Sequence, residues 1–239
     1  MGVRVVPGLR LGLVGGYAWS RADFYAGRGS SDDHIWRLGP YLALDFAPYT
    51  VDAMVAYGAH RVATERPVWN TTATSKTTMG EWLGYLRAAR TVDLGAAVVA
   101  EPFVEGQYVR LDRAAYGESG AGAANLDFPA ADSTSVTSVL GLRLEKSFEV
   151  GGWRLTPDVW GGWRHEYGDT APLVRAAFSG APERQFAASG GVTDRDQARF
   201  GAGITLRGEA GRAVNARFDG TAGGTRSDLA LSVGLRLTF

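Results

Sequence analysis

Cysteine is absent from the 239 residues, which rules out a disulfide framework and a thiolate metal site and leaves the redox compartment unreadable. Lysine is nearly absent, occurring only as Lys76 and Lys146. Almost all positive charge is therefore arginine, whose planar fork suits pairing with carboxylates. Basic and acidic residues balance at 25 each, so there is no basic footprint and nucleic acid is not an expected partner. No apolar run approaches 18 residues, and a helical membrane span is excluded. The N-terminus, Met-Gly-Val-Arg-Val-Val-Pro, has no cleavable signal pattern. Since the reading below requires export, this suggests a longer precursor that has lost its N-terminal part.

What is present is glycine, 33 residues of it, in a chain 45% hydrophobic with a mean hydropathy of −0.10. The pattern behind that middling value is clearest at the end, Asp228 to Phe239. Leu229, Leu231, Val233, Leu235, Leu237 and Phe239 share one face of an extended strand, and Ala230, Ser232, Gly234, Arg236 and Thr238 share the other. Twelve residues without an exception is long for a soluble strand, typically about 5–6. A tilted strand crossing a bilayer needs roughly 9–11.

The same alternation recurs along the chain. Leu9, Leu11, Leu13, Tyr17 and Trp19 oppose Arg10, Gly12, Gly16, Ala18 and Ser20 over 8–20. Over 34–46, Trp36, Leu38, Leu42, Leu44 and Phe46 oppose Arg37, Gly39, Tyr41 and Asp45. Further strands are predicted at 50–62, 80–92, 97–111, 134–147, 153–167, 196–208, 212–220 and 228–239, ten in all. Their connections alternate between short (47–49, 93–96, 148–152, 209–211) and long and polar (21–33, 63–78, 112–133, 168–194, 221–227). An even strand count with short turns at one end and long loops at the other is the signature of a transmembrane β-barrel, with the short turns and both termini periplasmic. The aromatics Trp36 and Phe46, and again Trp153 and Trp163, lie ten residues apart on the apolar face. Ten tilted residues rise roughly 25 Å, the height of the apolar band between aromatic girdles. Trp19, Trp36, Phe46, Trp153, Trp163 and Phe239 are the expected girdle.

The segment Leu155-Thr-Pro-Asp-Val-Trp-Gly-Gly-Trp-Arg-His-Glu-Tyr-Gly-Asp169, then Phe178-Ser-Gly-Ala-Pro182, then Arg195-Asp-Gln-Ala-Arg-Phe-Gly-Ala-Gly203 and the terminal strand resemble the autotransporter β-domain, the C-terminal translocator of type V secretion in Gram-negative bacteria. The resemblance covers essentially residues 1–239 as a single domain. It implies a twelve-strand barrel in the bacterial outer membrane, a helix threading the lumen, a passenger N-terminal to the barrel, contact with outer-membrane lipid, and insertion by barrel-assembly machinery. Residues 8–20 resemble the third strand of that pattern, leaving the first two strands, the helix and the passenger unaccounted for. Either a ten-strand barrel then closes by pairing 8–20 with 228–239, or the sequence is a fragment of the twelve-strand pattern.

On the strand parity, the charged side chains expected to face the lumen are Arg10, Arg37, Asp45, Asp52, His60, Arg87, Glu101, Glu105, Arg143, Glu145, Arg154, Asp158, Arg164, Glu166, Arg199, Arg207, Arg217, Asp219 and Arg236. Charges in a partly dehydrated lumen need partners, so a structural ladder of arginine–carboxylate pairs is expected, which a translocating chain could also slide along. His34, His60 and His165 have no metal-ligand spacing, and neither a cofactor nor a metal site is expected. A barrel hydrolase would pair His60 with Asp52 or Asp45, a poor fit in height along the barrel. The sequon at Asn70-Thr-Thr72 is incidental in a bacterial barrel. The function expected is a translocator and anchor rather than an enzyme, with a small stand-alone porin or structural barrel as the alternative.

Overall fold

A computed structural model describes residues 2–208, 212–225 and 227–236. The strands are β1 Gly2–Val6, β2 Leu9–Asp23, β3 Ser30–Phe46, β4 Tyr49–Val68, β5 Thr71–Arg90, β6 Val92–Gly95, β7 Val98–Arg113, β8 Tyr116–Gly117, β9 Leu126–Phe128, β10 Ala131–Lys146, β11 Phe148–Val150, β12 Trp153–Glu166, β13 Leu173–Phe178, β14 Gln185–Ser189, β15 Asp196–Arg207, β16 Ala213–Ala222 and β17 Ser227–Arg236. The ten expected strands are all there, as β2, β3, β4, β5, β7, β10, β12, β15, β16 and β17. They form one antiparallel sheet in chain order, a meander in which each strand pairs with its predecessor and its successor.

Closure differs from expectation. The outer edge of β2 is taken by β1, an eleventh strand on the path, so residues 8–20 do not pair with 228–239. The signal for β1 was the Pro7-Gly8 pair, with Gly8 at φ 85°, the left-handed geometry that a tight turn asks of glycine. The sheet curls through 263° and leaves its two edges 13 Å apart, an open barrel.

The polar stretch 63–78 is not a loop. It is the upper half of the β4–β5 hairpin, paired without interruption from Tyr49↔Arg90 to Val68↔Thr71. Twenty residues at about 3.3 Å each span roughly 66 Å along the strand, well over what a hydrocarbon core requires. Beyond that core a strand no longer needs an apolar face, and Thr-Thr-Ala-Thr-Ser-Lys-Thr-Thr reads as polar while keeping the β-branched residues that favour extension. Loop 21–33 shrinks for the same reason to the turn 24–29 between β2 and β3. The connections 112–133 and 168–194 fold on each other as a second sheet in the order β14-β13-β9-β8. This cap is tied to the β4–β5 hairpin by Arg66, which donates to both carboxylate oxygens of Glu118 and to the Ala124 carbonyl. Glu118 also accepts from the Leu126 amide at 2.8 Å, and the Thr74↔Ser119 bridge adds a backbone seam. The turn at 209–211 lies outside the described residues.

The small apolar core sits on one face of the main sheet and consists of Ala89, Phe103 and Val139 with Trp160 packed against them. Phe103 on β7 and Trp160 on β12 meet edge-on at 6.2 Å although β10 lies between them. Second-neighbour strands are about 9.6 Å apart, so this contact marks the concave face. Gly141 on β10 leaves the gap through which they meet: a Cβ there would lie 2.3 Å from the Phe103 ring. Gly141→Val is expected to destabilise the folded domain by roughly 1–3 kcal/mol through overpacking. Gly106→Ala, with open space around it, should change little. Urea unfolding of both proteins in detergent, followed by tryptophan fluorescence, checks this.

Candidate functional site: a charged concave face

Strand parity puts the arginines and carboxylates on the same face as Phe103 and Trp160, and the structure gathers them into clusters that bridge strands. The tightest contains Arg37 of β3, His60 of β4 and Glu81 of β5. The Arg37 guanidinium spans β4 to donate twice to Glu81, with its Nη2 2.9 Å from Oε2. That reach is possible because Gly58 lies between them; a Cβ there would sit 3.2 Å from Glu81 and 3.3 Å from Arg37. His60, 6% exposed, has Nδ1 at 2.9 Å from Asp33 and Nε2 at 3.2 Å from Glu81. A hydrolase would have needed His60 beside Asp52 or Asp45, a pairing that fits poorly in height. Instead, Asp45 pairs with Arg10 at 2.9 Å, and Asp52 lies in register with Arg87. Both ring nitrogens of His60 face carboxylates, Asp33 and Glu81. Asp33 was missed because it fell in an expected loop, and Glu81 because its strand has mixed faces. Asp33 does continue the parity of Ile35 and Arg37, and that was the available signal.

Farther down the sheet, Arg87 pairs with Glu101 and, at 3.4 Å, with Glu105. Arg199 of β15 approaches Glu105 at 3.9 Å across two intervening strands. Arg143 and Arg217 share Asp158 at 3.5 and 3.4 Å, while the Trp160 indole donates to Asp219 at 3.2 Å. Arg164 donates to Gln197 and Glu166 at 2.7 and 3.2 Å, and Glu166 also accepts from Ser135, Val136 and Gly168. Glu145 stands in register with Asp158, and Arg207 with Arg154. Arg154 turns to Glu149 at 2.7 Å, both exposed at the short-turn end. The side chain of Arg236 and residue Phe239 lie outside the described residues.

The opposite face is apolar and bare. Trp19, Trp36 and Trp163 toward one end, and Phe46 and Trp153 toward the other, are 42–61% exposed. Between and beside them Leu38, Leu140, Val159, Leu231, Val233 and Leu235 are also exposed. Tyr17 packs on Trp36 at 4.6 Å, and Tyr57 meets Trp82 at 5.2 Å. Above the concave face, a cavity of about 700 Å³ opens between Met79, Leu111 and Arg113 of the main sheet and Leu173 to Arg175 of the cap. Among the described residues, no group of three or more His, Asp or Glu could hold a metal ion.

The clusters hold strands two apart, so breaking one should loosen the curl. Glu81→Ala leaves the Arg37 guanidinium without its carboxylate and His60 Nε2 without its partner, and is expected to cost roughly 2–3 kcal/mol, below the fully buried limit because Arg37 keeps contact with water. In a double-mutant cycle with Arg37→Ala, the coupling should exceed about 1 kcal/mol by urea unfolding.

The arrangement has known counterparts. The autotransporter beta-domain family matches residues 1–234. The β-domain of the Bordetella autotransporter BrkA is 20% identical, with 100% of this chain and 87% of that one covered at a TM-score of 0.75. The translocator domain of autotransporter NalP from Neisseria meningitidis is 12% identical, with 98% and 76% covered at a TM-score of 0.79. At those identities the two structures show the fold. No curated protein matches the chain. The family match over almost the whole length, on a sheet with one bare apolar face and one charged concave face, places this chain in the autotransporter β-domain family: it is an outer-membrane translocator and anchor domain.

Proposed function

We propose that residues 1–239 act as one closed transmembrane barrel whose charged face lines the conduit or seat for a passenger carried N-terminal to it. The observation that carries this is the division of faces: large aromatic and aliphatic side chains bare on the convex side, paired charges on the concave side. In water that distribution is unfavourable, since a contiguous apolar belt has nothing to cover it. In a bilayer it is what a barrel wall needs. Closure follows from the same solvent. Each unpaired backbone group on an edge strand costs several kcal/mol in hydrocarbon, so the 13 Å gap either narrows to the pairing spacing of about 4.8 Å or is filled by further strand.

Ion pairing within the wall keeps the lumen polar while leaving few charges free to hold a passing chain. On this reading the girdle residues Trp19, Trp36, Phe46, Trp153, Trp163 and Phe239 sit at the two interfaces, and the cap stands at the outer mouth. Entry into the membrane is assigned to the barrel-assembly machinery that other outer-membrane barrels use.

Leu231→Arg, at the lipid-facing centre of β17, should cost about 2–4 kcal/mol of insertion. A signal peptide and an epitope-tagged passenger segment fused ahead of residue 1 provide the readout. Wild-type fusions should label at the surface of intact cells and migrate as a heat-modifiable band. The Leu231→Arg fusion should lose both signals several-fold, while Ser232→Ala on the opposite face should retain them. Equal labelling of wild type and Leu231→Arg would overturn the assignment of faces.

A further inference from the structure

We propose that the convex face carries a built site for a phosphorylated, acylated glycolipid of the outer leaflet, centred on Arg61 and Lys76. The proposal rests on the transmembrane reading above and adds a specific ligand to it. Two other outward strand cations toward this end are neutralised by their neighbours: Arg21 pairs with Asp23 and Asp32, and Arg110 with Asp112 and Asp132. Arg61 and Lys76 are different. Both are exposed, and neither has a carboxylate within 4.0 Å among the described residues. Lys76 is one of only two lysines in the chain. The backbone register brings the pair together, since Arg61 faces Thr78 and Ala63 faces Lys76 across the β4–β5 ladder. His34 faces Arg61 on the other side. Its Nδ1 is 2.6 Å from the Tyr17 hydroxyl, so that contact leaves the other ring nitrogen, Nε2, uncommitted. These three side chains line a groove of about 440 Å³.

Directly below, Trp36, Leu38 and Tyr57 line a second groove of about 560 Å³, floored by small residues on β2 and β4. Ala59 of this lower groove faces Trp36 across the ladder and stands two residues before Arg61 on the same face of β4. Arg61 lies four residues beyond Tyr57, which at about 3.3 Å per residue and a tilt of about 40° is roughly 10 Å nearer the cell exterior. That is the height of headgroups above an aromatic girdle. Two unneutralised cations and an imidazole at phosphate level, over an apolar trough at acyl-chain level, match an amphiphile with phosphate on its headgroup. Charge-assisted bonds from arginine and lysine to phosphate supply the recognition, and the trough supplies apolar contact area.

The test uses the folded protein reconstituted in phosphatidylcholine vesicles containing either bis-phosphorylated or dephosphorylated lipid A. Binding is read by tryptophan quenching from a brominated acyl chain and by co-purification after detergent extraction. Phosphorylated lipid A should be retained at least tenfold over the dephosphorylated form. The Arg61→Ser/Lys76→Ser protein should lose that preference, while Arg110→Ser, a rim cation with its own carboxylates, should keep it. Equal retention of both lipids by wild type, or an unchanged preference in the double variant, overturns the proposal. So does full competition by 10 mM inorganic phosphate (a concentration of roughly the order used for weak anion sites), which would identify a simple ion site. Heat-modifiable migration of the same vesicle preparations separates the two levels of the argument. A protein that inserts without phosphate preference defeats only the lipid site, whereas one that never inserts defeats the barrel reading and the lipid site with it.

Discussion

A strand has two faces and a backbone that must find its hydrogen bonds in its neighbours, and in hydrocarbon neither condition can be relaxed. The sheet satisfies the backbone by running as an uninterrupted antiparallel meander from β1 to β17. It satisfies the faces by a period-two pattern that sends leucine and aromatics one way and arginine and carboxylates the other. A slip of one residue in any strand would exchange the two sets completely. Thus register, more than any single contact, is what the domain depends on. The longest unbroken ladder, twenty pairs between β4 and β5, is accordingly the best specified part of the wall.

Curvature turns this pattern into a site. On a flat sheet, side chains of second-neighbour strands cannot touch. Once the sheet curls, the concave face brings Arg37 over Gly58 to Glu81 and Phe103 over Gly141 to Trp160. Glycine on the middle strand and a long or large side chain on each flank is a repeated device here. Two of the ion pairs, Arg37–Glu81 and Arg217–Asp158, therefore do more than neutralise charge, because each spans a middle strand. Many of the described charges on this face are paired, while Asp33 Oδ1 and Arg143 Nε are buried without a hydrogen bond.

The far end of the molecule follows a different rule. Past the apolar belt the alternation of faces fades but strand pairing continues. This is why Thr71 to Thr78 reads as a loop by hydropathy and yet is the backbone of a hairpin. The cap built from the two longest connections leans on that hairpin through Arg66 and Glu118. Polarity marked where the solvent changes. It did not mark where the strands end.

From sequence alone the ten wall strands, their order and their antiparallel sense were legible, because a local period of two marks each strand and short connections pair neighbours. The family was legible too, in the stretch from Leu155 to Gly203. Partner choice was not. That His60 meets Asp33 and Glu81 rather than Asp52 or Asp45 depends on shear between strands, which no single strand encodes. The first strand, the second sheet and the 13 Å opening between the edges were likewise decided only in three dimensions. Each is a contact between segments distant in the chain, where local propensity is silent and the geometry of the whole curl selects the neighbour.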